Sequence, residues 1–173
     1  ININKAAQQA VFNAEARKNG KIKHFVELFG DAFEGEQLWE KQLKNESLKE
    51  RISTDTNVGP AYLHYNAESD LAPGNNDSFY TFVYVKPEDN TTKAVLSGVI
   101  KAYSGQHPVS CIELSDLSPK SVAEFIELKH FETIFTGMLL RKDEKRADVL
   151  PEVLQPNVEK YKKEVKEAMK NLG

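Results

Sequence analysis

The sequence lacks the features that mark several large classes of protein. It contains one cysteine, Cys111, in 173 residues, so no disulfide can form within the chain. No stretch approaches the roughly 18 consecutive apolar residues that a membrane-spanning helix needs, and the first residues lack the apolar block of a signal peptide. The 23 Lys and Arg and the 26 Asp and Glu form no long block of one sign. We therefore expect a soluble, cytoplasmic chain with no membrane or nucleic-acid partner.

Motifs of metal and nucleotide chemistry are missing as well. The chain has no His-Glu-x-x-His, no paired cysteines and no cluster of His and Asp at metal-ligand spacing. A phosphate-binding glycine motif and a Gly-x-Ser-x-Gly elbow are also absent from the sequence. We expect neither a metal ion nor a cofactor.

The length predicts a single domain covering residues 1–173, because one compact domain commonly has about 100 to 200 residues. The chain begins with Ile1 rather than Met. Two interpretations of this start are a domain of a longer polypeptide, such as the C-terminal domain of a longer enzyme, and a processed product.

Two strands with a helix between them are the clearest pattern in the chain. Ser78 to Lys86 is a run of aromatic and β-branched residues closed by Pro87, and Val109 to Leu114 is a second apolar run that contains Cys111. Between the two runs, Thr91 or Thr92 can cap a helix that extends through Tyr103. A strand–helix–strand order predicts parallel pairing, and we expect Cys111 to be buried.

Helices are predicted elsewhere, and one segment is predicted as a long loop. The predicted helices cover Lys5–Arg17, Lys21–Phe29, Leu38–Ile52, Ser118–Leu140 and Val158–Leu172. Ser53–Asp77, rich in Asn, Asp, Gly, Pro and Ser, is predicted to be a loop, and loops of this length are commonly functional. The predicted fold class is α/β, a small parallel sheet flanked by helices.

Of the four histidines, His64 is the best candidate for chemistry. His24 and His130 fall on predicted helices, where packing or a solvated face explains them, and His107 precedes a proline in a polar turn. His64 lies in the predicted long loop just before the strand at Ser78, where an imidazole could meet a ligand and exchange a proton near neutral pH. The lysines of the last helix are explained by a solvated face with mixed-sign pairs.

Short matches in order through the second half resemble the C-terminal, second sugar-isomerase domain of bacterial glucose-6-phosphate isomerases. The most specific match is the segment Gln155-Pro156-Asn157-Val158-Glu159-Lys160-Tyr161-Lys162, since the family has Gln-Pro-Gly-Val-Glu followed closely by a lysine. Upstream, Phe25 to Gly30 with Glu34-Gly35 is similar to a Leu-Phe-Gly-Glu stretch, and Tyr62-Leu63-His64 falls at the family's Leu-His. The resemblance covers most of residues 20–173 in pieces.

The resemblance implies roles for three residues. His64 corresponds to the histidine that assists opening of the sugar ring, Lys162 to a lysine near the ring oxygen, and Gln155 to a substrate-contacting glutamine. Ring opening moves a proton between the anomeric hydroxyl and the ring oxygen, and a His with a nearby cationic Lys can assist that transfer. The implied activity is the interconversion of glucose 6-phosphate and fructose 6-phosphate in glycolysis and gluconeogenesis, with a homodimer that contributes the histidine across its interface.

The resemblance also implies that Lys162 faces an open cleft on the inner side of the last helix. Helical spacing predicts an inward apolar stripe that includes Val158, Tyr161, Val165 and Met169, and Lys162 is adjacent to it.

The chain departs from the family in ways that limit this carry-over. The family's glycine after Gln-Pro is Asn157, and its Ser-x-Gly-Gln after the histidine is Tyr65-Asn66-Ala67-Glu68. The carboxylate that moves a proton between C1 and C2 and the segment that anchors the phosphate belong to the family's N-terminal portion. We therefore expect this chain alone to be inactive as an isomerase, with sugar phosphate and the missing N-terminal domain as its partners.

Two other interpretations remain open. One is a non-catalytic sugar-phosphate-binding or regulatory domain, which the missing family residues after His64 favour. The other is a helical protein-interaction module whose matches are accidental, which the match from Gln155 to Lys162 disfavours.

Overall fold

The computed structural model describes residues 3–59, 66–141 and 156–170. The helices are α1 (Ile3–Lys18), α2 (Glu36–Leu48), α3 (Asn90–Ser104), α4 (Pro119–Leu140) and α5 (Pro156–Lys170), and the strands are β1 (Lys23–Phe29), β2 (Ser53–Val58), β3 (Ser78–Val85) and β4 (Val109–Leu114). Residues 66–70 are helical as well. Within these ranges, no helix is long and apolar enough to cross a membrane.

The strands form one parallel sheet in the order β2-β1-β3-β4. β1 pairs with β2 on one side and with β3 on the other, so it is buried at the centre of the sheet. The predicted fold class is confirmed, as is the parallel pairing of β3 with β4. Helices α1, α2 and α4 cover one face, where Phe125 of α4 packs against Val26 and Val83, and α3 covers the other face through Tyr103.

The helix predicted over Lys21–Phe29 is wrong, because this segment is strand β1. His24 and Val26 point to the α4 side of the sheet, whereas Phe25 packs on Tyr80 on the α3 side. Both faces of this central strand are covered, so its apolar residues show no alternation that would distinguish a strand from a helix.

The long loop predicted over Ser53–Asp77 is wrong at its start, because Ser53–Val58 is strand β2. Polar β2 is held to α2 by side-chain hydrogen bonds. The Asn45 amide bonds both the N–H and the C=O of Thr54 at 2.8 Å, and the Thr56 hydroxyl donates to the Gln37 carbonyl at 2.8 Å. A polar edge strand satisfied in this way does not have the apolar composition on which strand prediction depends.

Local capping explains the accurate boundaries of the later helices. The Ser118 hydroxyl accepts from the Ser121 N–H at 3.3 Å, and Pro119 opens α4 as predicted. In α3 the cap is Asp89, whose carboxylate accepts from the Thr92 N–H at 2.8 Å, rather than a threonine.

Cys111 lies on β4 as predicted, but its predicted burial is wrong because its side chain is exposed. Among the described strands, β4 is bound to a neighbour only on its β3 side. Cys111 faces the α3 side of the sheet, where α3 packs on Tyr80 and Phe82 of β3 and leaves the edge strand open.

We expect Cys111 to react with a maleimide or a disulfide reagent in the native protein. Partial burial raises the pKa of its thiol, so the rate should increase about tenfold per pH unit below that pKa as the thiolate forms. Quantitative labelling without denaturant checks this, and a requirement for denaturant would show that the edge of β4 is covered.

Candidate functional site

Of the three predicted site residues, one, Lys162, lies within the described part of the chain. His64 and Gln155 lie outside the described residues. Lys162 lies on α5 with its side chain 57% exposed, and its Nζ donates to Glu159 Oε1 at 2.8 Å. That bond to Glu159 raises the pKa of Lys162, and Lys162 lines neither of the two cavities described below. The catalytic assignments of His64 and Lys162 and the substrate-binding assignment of Gln155 remain predictions.

The inward orientation predicted for the apolar stripe of α5 is wrong for its largest members. Tyr161 and Met169 are 69% and 66% exposed. Helical periodicity identifies the stripe, but periodicity does not say whether an element of the same chain packs against it.

The sheet order places a topological switch between β1 and β3. The chain passes from β1 to β2 at one edge and then returns to β3 on the opposite side of β1. In open α/β sheets, ligands bind outside the carboxyl ends of the strands at such a switch point. Gly30 and Gly59, with φ of 136° and 85°, follow the carboxyl ends of β1 and β2. The segment that carries His64 connects Gly59 to Asn66.

A buried cluster of four charged side chains lies between α2 and α4. Lys129 Nζ is 2.7 Å from Glu40 Oε1 and 2.8 Å from Glu132 Oε2. Lys44 Nζ donates to Glu132 Oε1. All four side chains are inaccessible to solvent. We call Glu40, Lys44, Lys129 and Glu132 the ion cluster. Its two positive and two negative charges balance, as buried charges must.

Neighbouring charges outweigh burial at Glu132 and Lys129, whereas burial outweighs them at Lys44, whose pKa is lowered. Burial alone would raise the pKa of Glu132, but the ammonium groups of Lys129 and Lys44 hold it well below its usual range. Burial would likewise lower the pKa of Lys129, but Glu132 and Glu40 raise it. The nearby His24 has its pKa lowered by burial and by Lys44, so its imidazole is neutral.

A chain of hydrogen bonds leads from the ion cluster to the edge of the sheet. Asn13 Nδ2 donates to Glu132 Oε1 at 2.7 Å. One turn earlier on α1, Gln9 Nε2 lies 3.4 Å from Asn13 Oδ1 and donates to Ser110 Oγ at 2.7 Å and to Thr81 Oγ1 at 3.0 Å. His24 Nε2 is 2.9 Å from the same Thr81 oxygen. This chain ties α1 to β3 and β4 with polar groups that are almost entirely buried.

The chain of hydrogen bonds ends at a cavity of about 1160 Å³ along β4. We call this cavity the edge groove. Its walls come from the first turns of α1, from β4 and the end of β3, and from the first half of α4. The residues that matter below are Lys5, Gln9, Lys86, Ser110, Ser121 and Phe125.

The opposite face of the sheet holds a buried carboxyl group, that of Glu27 on β1. Glu27 is 2% exposed, and Asn57 Nδ2 donates to its Oε1 at 2.8 Å. Burial raises the pKa of Glu27 to about 7. The hydrogen bond from Asn57 acts against this increase, whereas the negative charge of Asp70 adds to it. Asp70 in turn accepts from the Tyr103 hydroxyl at 3.0 Å. Glu27 is therefore poised to exchange a proton near neutral pH.

A second cavity, of about 650 Å³, opens at the amino ends of β1 and β3. Lys23 in its wall is paired with Asp77 at 3.1 Å, and the rest of the wall includes Asp70 and the amides of Asn75 and Asn76. The described residues of this wall therefore offer no unpaired positive charge with which to bind an anion.

The remaining histidines have structural roles. His24 stacks on Phe79 with ring centroids 4.4 Å apart, which confirms packing but on a strand rather than on a helix. His107 Nε2 is 2.8 Å from the Asp70 carbonyl oxygen. His130 on α4 is exposed and lies edge-on to Trp39. Among the residues the structure describes, no group of His, Cys, Asp and Glu could hold a metal ion.

Sequence reasoning does not identify the ion cluster, Glu27 or the edge groove. One signal is present for Glu27, a carboxylate within the apolar run Phe25 to Phe29. The ion cluster gives no such signal, since Glu40 and Lys44 have the four-residue spacing of ordinary surface pairs on helices.

Comparison with known proteins assigns no family. No protein-family model matches the chain, and no curated protein matches it either.

Proposed function

We propose that this chain is a domain of a cytoplasmic aldose–ketose isomerase that interconverts glucose 6-phosphate and fructose 6-phosphate. The proposal rests on the resemblance of residues 20–173 to glucose-6-phosphate isomerases. The observation that supports it most is that the segment carrying His64 begins at Gly59, at the carboxyl end of β2. That is the end of a parallel sheet at which ligands bind.

In this proposal His64 and Lys162 assist opening of the sugar ring and Gln155 contacts the substrate. The histidine moves the proton of the anomeric hydroxyl to the ring oxygen, and the ammonium of the lysine stabilises the charge that develops on that oxygen as the C1–O5 bond breaks. The exposed position of Lys162 leaves it available to a site completed by another domain or subunit. The partners are the N-terminal domain, which supplies the carboxylate for C1/C2 proton transfer and the phosphate anchor, and a second copy of the chain.

A non-catalytic sugar-phosphate-binding domain is the second candidate. Residues 66–70 are helical, and within them Ala67-Glu68 stands where the family has Gly-Gln after its histidine. The glutamine that the family has there is thus replaced by Glu68.

Exchange between the α and β anomers of glucose 6-phosphate tests the proposal, because ring opening does not need the missing carboxylate. We expect the chain to accelerate this exchange in two-dimensional exchange NMR without forming fructose 6-phosphate. His64→Asn should reduce the acceleration at least about tenfold, since general acid–base catalysis contributes about 10²–10⁴-fold.

The control for His64→Asn is His130→Asn, which replaces an exposed histidine. The control for Lys162→Ala is Lys163→Ala, at the neighbouring lysine. Both controls should retain the acceleration, whereas Lys162→Ala should reduce it. Binding of glucose 6-phosphate without acceleration would favour the non-catalytic domain. Formation of fructose 6-phosphate by the chain alone would contradict the division of the active site between two domains.

A further inference from the structure

The edge groove has the size and the walls of a small-molecule site. Its volume of about 1160 Å³ is slightly above the roughly 300–1,000 Å³ that is typical of such sites. It lies at the β4 edge of the sheet, whereas the segment that carries His64 begins at the β2 edge, with β1 and β3 between them. Lys162, the one described residue to which the proposed isomerase chemistry is assigned, does not line the groove.

One wall of the groove is a pre-organised set of polar groups. Gln9 is only 7% exposed, and three hydrogen-bond contacts hold its amide nitrogen against Ser110, Thr81 and Asn13. The Ser110 and Thr81 hydroxyls are 2.9 Å apart and hold each other in place. Because these side chains already have fixed positions, a ligand hydroxyl that bonds to them causes little further loss of side-chain entropy.

The groove also carries two cations that are available to a ligand. Neither Lys5 nor Lys86 has an ion pair within the described part of the chain, and both are exposed. Two carboxylates, Glu113 and Glu124, line the groove as well, and Glu124 is 3.9 Å from Lys120. The apolar floor includes the buried Phe125 and the partly exposed Ile112 and Leu128, and the latter two can contact a carbon chain.

We propose that the edge groove binds a phosphorylated polyol, with its phosphate on Lys5 and Lys86 and its hydroxyls on the wall formed by Gln9 and Ser110. Two ammonium groups suit a dianionic phosphate, and amides and hydroxyls suit polyol hydroxyls, which both donate and accept hydrogen bonds. The argument for this site uses none of the three residues to which the proposed isomerase chemistry is assigned.

Titration of the ¹⁵N-labelled chain with glucitol 6-phosphate at constant ionic strength tests the proposal. The amide signals of Ser110 and Ser121 should shift with saturation. The double variant Lys5→Ala/Lys86→Ala should weaken binding at these signals by about tenfold or more, because charge-assisted hydrogen bonds are lost. The double variant Lys93→Ala/Lys101→Ala removes the same charge from exposed positions of α3 on the opposite face, and it should bind as the unmodified chain does.

Two further titrations distinguish recognition of the whole phosphorylated polyol from attraction of its phosphate or its hydroxyls alone. Inorganic phosphate and glucitol should each bind at least about tenfold more weakly than glucitol 6-phosphate, because each offers only one of the two chemical features. His64→Asn should leave the groove signals and their dissociation constant unchanged. The proposal is overturned if the groove amides do not shift, if both double variants weaken binding equally, or if phosphate alone binds as tightly as the phosphorylated polyol.

Discussion

Replacing Glu132 with glutamine is expected to lower the free energy of unfolding by about 3–5 kcal/mol, because it removes one partner of a buried ion pair and leaves the other charge buried. Glu132 contacts both Lys44 and Lys129, and all three side chains are inaccessible to solvent. In the variant, Glu40 is the one carboxylate left in the ion cluster to balance two ammonium groups. Chemical denaturation at pH 7, followed by circular dichroism, measures the loss.

The matched control is Glu124→Gln, on the same helix but exposed and 3.9 Å from Lys120. It should change the free energy of unfolding by less than about 1 kcal/mol. The variant Lys44→Met/Glu132→Gln removes one charge of each sign. Its loss of free energy of unfolding should therefore be smaller than the sum of the losses of the two single variants. A loss for Glu132→Gln no larger than that of the control would show that solvent reaches the ion cluster.

Replacing Glu27 with glutamine should make the protein more stable at pH 8 and leave it nearly unchanged at pH 4.5. The pKa of Glu27 is raised from 4.5 to about 7 in the folded protein. Between these values the folded protein holds a proton that the unfolded chain has released, so this group's contribution to stability falls as the pH increases. The difference of about 2.5 pH units corresponds to about 3 kcal/mol.

The difference in free energy of unfolding between Glu27→Gln and the unmodified chain, measured across pH 4.5 to 8, isolates this effect. The buried neutral His24 acts in the opposite sense, because its pKa is lowered and the unfolded chain takes up the proton first. His24 is present in both proteins, so its contribution cancels. Glu113→Gln, which removes a carboxylate from an exposed position of β4, serves as the control. A constant difference at every pH would mean that Glu27 is ionised in the folded protein throughout.

Local signals in the sequence determined several elements of this fold. Helix α4 begins at Pro119 after its Ser118 cap, and β3 is a β-branched and aromatic run that ends before Pro87. These signals act within a few residues, so no knowledge of distant contacts is needed to interpret them. The α/β class and the parallel pairing of β3 with β4 follow from the order of the elements.

The tertiary structure alone decided the identity of β1 and β2. Lys23–Phe29 carries apolar residues on both faces because it is a central strand. Ser53–Val58 can be polar because α2 supplies hydrogen bonds to it. Neither pattern resembles a half-buried strand. Strand identity here depends on which elements pack against the segment, and periodicity within the segment does not contain that information.

The ion cluster and the edge groove were likewise decided by packing. Glu40 and Lys44 on α2, and Lys129 and Glu132 on α4, have the spacing of solvent-exposed pairs, and only the packing of the two helices against α1 and the sheet removes them from water. The groove is formed by α1, β3, β4 and α4, whose lining residues extend from Lys5 to Leu128. Spacing along the chain describes neighbours on one element, whereas burial and cavities arise from the approach of elements that are distant in sequence.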